Sequence, residues 1–226
     1  MKTFCYLLLL SSTLAIGSEP TTQKWKGERV LFVGNSITKH PPKAEIGWMG
    51  DWGMAATAAE KDQVHLVVDA VTKIRGIPPA FKVVTIADFE RGYEGFEGAV
   101  KLKEEIAFAA DTVIVGIGEN VPTLATPEAT AKFKGAMVRL LKTLKPDEQT
   151  ALFVRSTFMG HTAKDAVMKE ACTLAGGVFI DVSALAKEER NYARSEQQIT
   201  HEGVGAHPGD TGMRAIADAI VAVMKR

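Results

Sequence analysis

Val30-Leu31-Phe32-Val33 runs directly into Gly34-Asn35-Ser36-Ile37-Thr38. A strand with one wet face alternates apolar and polar residues, so this unbroken run, opened by Arg29, reads as a strand covered on both faces. The glycine and the two polar residues after it mark a turn. Four more runs have the same character: Phe81 to Ile86, Thr112 to Ile117, Ala151 to Val154 and Gly177 to Asp181. The segments between them carry helical periodicity. Helices are expected over Gly53 to Lys73, Phe96 to Ala109, Pro127 to Leu144, Thr162 to Ala175 and Thr211 to Met224. Thr126 is placed to cap the third of these, with Pro127 in its first turn, and Asp210 is placed to cap the last. This alternation predicts an α/β fold: a parallel sheet with helices on both faces, in one domain over residues 26–226. Function in such sheets gathers at the carboxyl ends of the strands. The chain is polar at all five of those ends, including Gly34-Asn35-Ser36, Gly118-Glu119-Asn120 and Arg155-Ser156.

Composition narrows the function mainly by exclusion. The chain has 226 residues, 46% of them hydrophobic, with 27 basic and 27 acidic side chains. A neutral balance offers no basic field for nucleic acid and no acidic disordered tract. Two cysteines cannot staple a scaffold, and no Cys/His spacing points to a metal, so neither a metal nor a cofactor is expected. The first residues read as an export signal. Lys2 precedes a short apolar run from Phe4 to Leu10 that resumes at Leu14-Ala15-Ile16, and the small residues at Gly17-Ser18 suit cleavage. The run is too short and too broken by Ser11, Ser12 and Thr13 for a membrane span, which needs roughly 20 apolar residues. Loss of residues 1–17 removes Lys2 and Cys5 and leaves Cys172, read as a core residue. The processed chain is expected in the periplasm or outside the cell, with no stable membrane association.

A serine at a strand-to-helix turn can present its hydroxyl above the sheet edge, with its N–H aimed at an oxyanion. Ser36 holds that position, although taken alone a helix cap is the commoner role. No G-x-G-x-x-G or P-loop pattern follows the first strand, which disfavours a nucleotide-binding oxidoreductase. The G-x-S-x-G elbow is missing as well. Near the other end lies His201-Glu202-Gly203-Val204-Gly205-Ala206-His207-Pro208. His207, just before the last helix, is the candidate general base, and His201 reads as an exposed loop residue. Asn120 offers a side-chain amide to an oxyanion, a role that also suits the N–H of Gly53.

Together these blocks resemble the SGNH (GDSL-like) hydrolases, named for Ser, Gly, Asn and His. Ser36 in Gly34-Asn35-Ser36 matches the first block, Asn120 in Gly118-Glu119-Asn120 the third, and His207-Pro208 the last. The second-block glycine is assigned to Gly53, with Gly50 in reserve. The resemblance implies a three-layer α/β/α sandwich on a flavodoxin-like, mainly parallel five-stranded sheet. It also implies a serine esterase mechanism in which Ser36 attacks and His207 moves the proton. Ser36, Gly53 and Asn120 would then hold the oxyanion.

Two departures from the family pattern stand out, the first being Glu119-Asn120 in place of the usual Asn-Asp order. In the second, Val204 stands where the family places an acid, three residues before its histidine. Either Glu202 orients His207 or a backbone carbonyl does so in a Ser–His dyad.

Export together with the resemblance favours a small-molecule or glycan ester, above all O-acetyl groups on a carbohydrate. Trp48 and Trp52 are candidate sugar-stacking residues with core packing as the equal alternative, and Arg155 is a candidate for an acidic sugar with an ordinary salt bridge as the commoner role. The competing class is a non-catalytic glycan-binding or surface-associated module on the same fold.

Overall fold

The computed structural model describes residues 24–226, so the predicted signal at residues 1–17 lies outside the described residues. Strand β1 spans Arg29–Gly34 and is followed by helix α1 at Gln63–Arg75 and β2 at Ala80–Thr85. Three short helices come next, α2 at Ala87–Gly92, α3 at Gly98–Lys101 and α4 at Lys103–Ala107. Then follow β3 (Thr112–Gly116), α5 (Pro127–Leu144), β4 (Ala151–Arg155), α6 (Thr162–Leu174) and β5 (Val178–Ile180). The chain closes with α7 (Glu202–Gly205) and α8 (Asp210–Met224).

All five strands are parallel, in the order β2-β1-β3-β4-β5, so every carboxyl end faces the same way. Side chains alternate across each strand, which is why both faces need apolar residues. Leu31, Val33, Val113, Val115, Leu152 and Val154 face the layer containing α5 and α6. Val30, Phe32, Ile114 and Phe153 face the layer containing α1 and α8. This is the three-layer α/β/α arrangement with the 2-1-3-4-5 order of flavodoxin-like sheets. Cys172 of α6 is fully buried in the first layer, and burial pushes its thiol up to about 12.

The strands and α5 lie where the sequence placed them, to within a residue. Thr126 caps α5 by accepting from the Ala129 N–H at 3.1 Å. Three helical expectations need correction. No helix runs from Gly53: there the N–H of Gly53 donates to Asp62, that of Met54 to the Ser36 carbonyl, and Ala55 is left-handed with φ 74°. Asp62 is the cap of α1, accepting from the His65 N–H at 2.8 Å. The Phe96–Ala109 segment is broken at Leu102 (φ −108°, ψ 26°) into two short helices. Asp210 does not cap α8, because its carboxylate is taken by the Thr57 N–H and hydroxyl and by Lys61. Glu196 does that work from outside the helix, accepting from the N–H groups of Asp210 (2.6 Å) and Thr211 (2.9 Å).

Candidate active site

The turn after β1 is tight enough to need its glycine, since a Cβ on Gly34 would lie 1.8 Å from the Thr38 hydroxyl oxygen. The Asn35 carbonyl accepts from the N–H groups of Thr38 and Lys39, and the Asn35 side-chain oxygen accepts from that of Ile37. Such an Asx turn leaves the N–H of the residue at its crest uncommitted. That residue is Ser36, and among the described residues no acceptor takes its N–H.

Ser36 Oγ lies 2.7 Å from His207 Nε2. The other ring nitrogen, Nδ1, lies 2.7 Å from the Gly203 carbonyl oxygen. A carbonyl can only accept, so Nδ1 carries the proton and Nε2 presents a lone pair to the serine hydroxyl. The one-turn helix α7 brings that carbonyl round, with His201 at its N-cap accepting from the Val204 N–H. Two backbone bonds fix His207 in place: its own N–H donates to Val204 O, and its carbonyl accepts from the Ala193 N–H. Burial holds the imidazole below the ordinary histidine range, partly countered by the bond to Gly203.

Glu202 is not the orienter. It is the exposed first residue of α7, and the His207 Nδ1 partner is the carbonyl of the next residue along.

Across the cavity, Asn120 Nδ2 donates to Glu90 Oε2 at 2.7 Å, leaving one amide hydrogen free. Glu90 is completely buried. Its other oxygen accepts from the N–H groups of Gly118 (2.6 Å) and Asn120 (3.2 Å) and from Asn35 Nδ2 (3.1 Å). The same Asn35 amide also donates to Glu119 Oε2 at 2.6 Å. Glu119 in turn pairs with Arg155 Nη1 at 2.8 Å and accepts from the Phe158 N–H at 3.0 Å. Burial alone would raise the Glu119 carboxyl. The Arg155 charge and the bonds from Phe158, Arg155 and Asn35 outweigh it and hold the group below the usual carboxylate range.

Five sequence candidates fall elsewhere: Arg155, Gly53, Gly50, Trp48 and Trp52. Arg155 is 1% exposed and committed to Glu119, so it is not available to a substrate. The N–H of Gly53 is occupied by Asp62 Oδ2 at 3.0 Å. Gly53 is small because a Cβ would meet the Ile37 carbonyl at 2.7 Å, and a Cβ on Gly50 would strike the Trp48 ring at 2.5 Å. Trp48 is 7% exposed, donates to the His40 carbonyl and stacks edge-on against Trp52; neither ring lines the Ser36 cavity.

That cavity, of about 450 Å³, is lined by Ser36, Asn120 and His207 together with Thr85 and Ala87 from the end of β2 and the start of α2. Sequence reading missed two of the residues that matter. Ala87 sits where the second strand ends, and among the described residues nothing accepts its N–H. Its one signal in the sequence is the end of the apolar run at Ile86-Ala87-Asp88, where no glycine stands. Glu90 had no signal, being one ordinary acid on a helix too short to predict. Among the described residues there is no group of three His, Cys, Asp or Glu that could hold a metal ion.

The chain has the three-layer fold seen in GDSL-like hydrolases. It is similar over 88% of its length to a protein described as a GDSL-like lipase from Bacteroides uniformis, with TM-score 0.55, 15% identity and 95% of that chain covered. A two-domain esterase active on acetylated mannans matches 87% of this chain at TM-score 0.56 and 16% identity, and 48% of its own length is covered. An acetyl xylan esterase matches 86% of this chain and 98% of its own at TM-score 0.50 and 15% identity. No protein-family model and no curated protein matches the sequence.

Proposed function

We propose that the chain is an exported serine esterase that removes O-acetyl groups from a carbohydrate. The observation that carries the reading is the 2.7 Å contact between Ser36 Oγ and His207 Nε2, in the one tautomer that accepts a proton from serine. Ser36 Oγ attacks the ester carbonyl as its proton passes to Nε2. The oxyanion is met by the N–H of Ser36 and the free amide hydrogen of Asn120. The N–H of Ala87 replaces the expected Gly53. The tetrahedral intermediate collapses, and Nε2–H protonates the leaving alcohol. Water then attacks the acyl-enzyme, gives its proton to Nε2, and the acid departs while the proton returns to Ser36. The Gly203 carbonyl orients the base, and no acid is needed behind it.

The choice of acyl group and alcohol rests on the acetyl xylan esterase and the acetylated-mannan esterase among the fold's relatives. Export rests on the N-terminal sequence. Among the described residues no helix is long and apolar enough to cross a membrane.

A serine-directed fluorophosphonate followed by peptide mapping tests the site, with labelling expected on Ser36 alone. Ser36→Ala is expected to lower kcat/KM on an aryl acetate by about 10⁴-fold or more while the protein stays folded. Label elsewhere, equal turnover by both proteins, or no label at all would overturn the reading. The last result is what a non-catalytic glycan-binding module predicts.

A further inference from the structure

The whole chain is neutral, yet the wall of the Ser36 cavity is not. Lys39, Lys43 and Arg91 line it, joined by His40 and His201, and no Asp or Glu lines it. Two of the cations stand on separate elements, Lys43 in the loop that follows the nucleophile turn and Arg91 in the last turn of α2. Lys39 is engaged by Asp51 at 3.1 Å, so its charge is partly answered. Lys43 and Arg91 have no carboxylate partner among the described residues. Asp88, one turn before Arg91 on the same helix, is the acid expected to pair with it. It faces Lys101 at 3.7 Å instead. The buried carboxylates nearest the cavity, Glu90 and Glu119, spend their oxygens on donors beneath it.

Exposed cations without a carboxylate partner are common on this surface, and what sets these apart is that three cations and no acid line one cavity beside Ser36. A guanidinium offers a fork matched to the oxygens of a carboxylate or sulfate, and a nearby ammonium adds a point charge. Ile46, Met54 and Val204 supply the apolar part of the wall, which fits the face of a sugar ring.

The geometry points to an anionic glycan as the substrate, with a carboxylate or sulfate held by Arg91 and Lys43 while the neighbouring O-acetyl group lies at Ser36. This deepens the esterase reading and rests on it for the reaction, but not for the binding. The part foreseen for Arg155 passes to Arg91, which is exposed at the cavity where Arg155 is buried.

The test separates the two. Calorimetric titration of the full chain with trigalacturonate, sulfated cellotriose and unmodified cellotriose reads binding without turnover, and the fluorophosphonate reads Ser36 on the same preparation. One or both anionic trisaccharides are expected to bind about tenfold or more tightly than cellotriose at low salt, a gap that narrows as salt rises. Which anion is preferred separates carboxylate from sulfate. In Lys43→Gln/Arg91→Gln the ratio is expected to collapse to near unity. Equal affinity for all three probes, a preference for the neutral one, binding of none of them, or a preference that survives the double substitution each overturns the inference. Ser36 labelling with no anion preference would sink only this proposal. An anion preference without labelling would sink only the esterase.

Discussion

The two walls of the Ser36 cavity are built on opposite principles. On the base side, His207 is held by backbone: a carbonyl from a one-turn helix and two main-chain bonds. On the oxyanion side, Asn120 is held by buried charge, with Glu90 and Glu119 joined through Asn35 and anchored on Arg155. In the proposed mechanism the single carboxylate that a Ser-His-acid site puts behind its base is missing, and two carboxylates lie instead under the proposed oxyanion donor. A neutral orienter fixes a tautomer as well as a carboxylate does, but it lends little stabilisation to the imidazolium. A buried carboxylate fixes an amide rigidly, at the cost of a network that must be satisfied throughout. The base side should therefore tolerate loss of nearby acids, and the oxyanion side should not.

The largest effect after loss of the proposed nucleophile is expected from Asn120→Ala, a fall in kcat of about 10²- to 10³-fold, the loss an oxyanion donor would give. A comparable rise in KM with kcat intact would show that Asn120 binds ground-state substrate instead. Glu90→Gln comes next. It puts an NH₂ group among N–H donors, and it should cost about 10- to 100-fold in kcat through misplacement of Asn120, with a smaller change in KM. If kcat held while only thermal stability fell, Glu90 would be a packing residue and the contrast between the walls would fail.

The pH profile gives a finer test. As the proposed base His207 must be neutral, and burial lowers its pKa, so activity should persist as pH falls past the usual histidine value of about 6.5. The acid limb of kcat/KM is expected to lie below that value; a midpoint at 7 or above would imply a carboxylate behind the ring. Smallest of all, Glu202→Gln should change kcat/KM by less than about twofold, as an exposed substitution remote from the ring nitrogens. A large loss would restore the triad.

How much of this was written in the sequence differs between the same two walls. Ser36, His207 and Asn120 lie next to sharp local signals: a glycine turn, a His-Pro before a helix, a Gly-x-Asn at a strand end. The sheet was legible because strands covered on both faces cannot alternate, and α5 because Thr126-Pro127 spells a helix start. What stayed hidden depends on partners distant in sequence. Glu90 is fixed by donors about thirty and fifty-five positions away, and Arg155 by Glu119 thirty-six positions back. The Gly53 segment reads as helix by its alanines, but Asp62 and the Ser36 carbonyl claim its N–H groups. Periodicity carries no trace of that competition.

Cys172 bears on how the folded protein would respond to an oxidising medium. Thiols react as thiolates, and a group pushed to about 12 inside a sealed helix layer is almost wholly protonated at neutral pH. An oxidising medium would find almost nothing there to attack. Among the described residues the fold therefore exposes no reactive thiol to disulfide exchange.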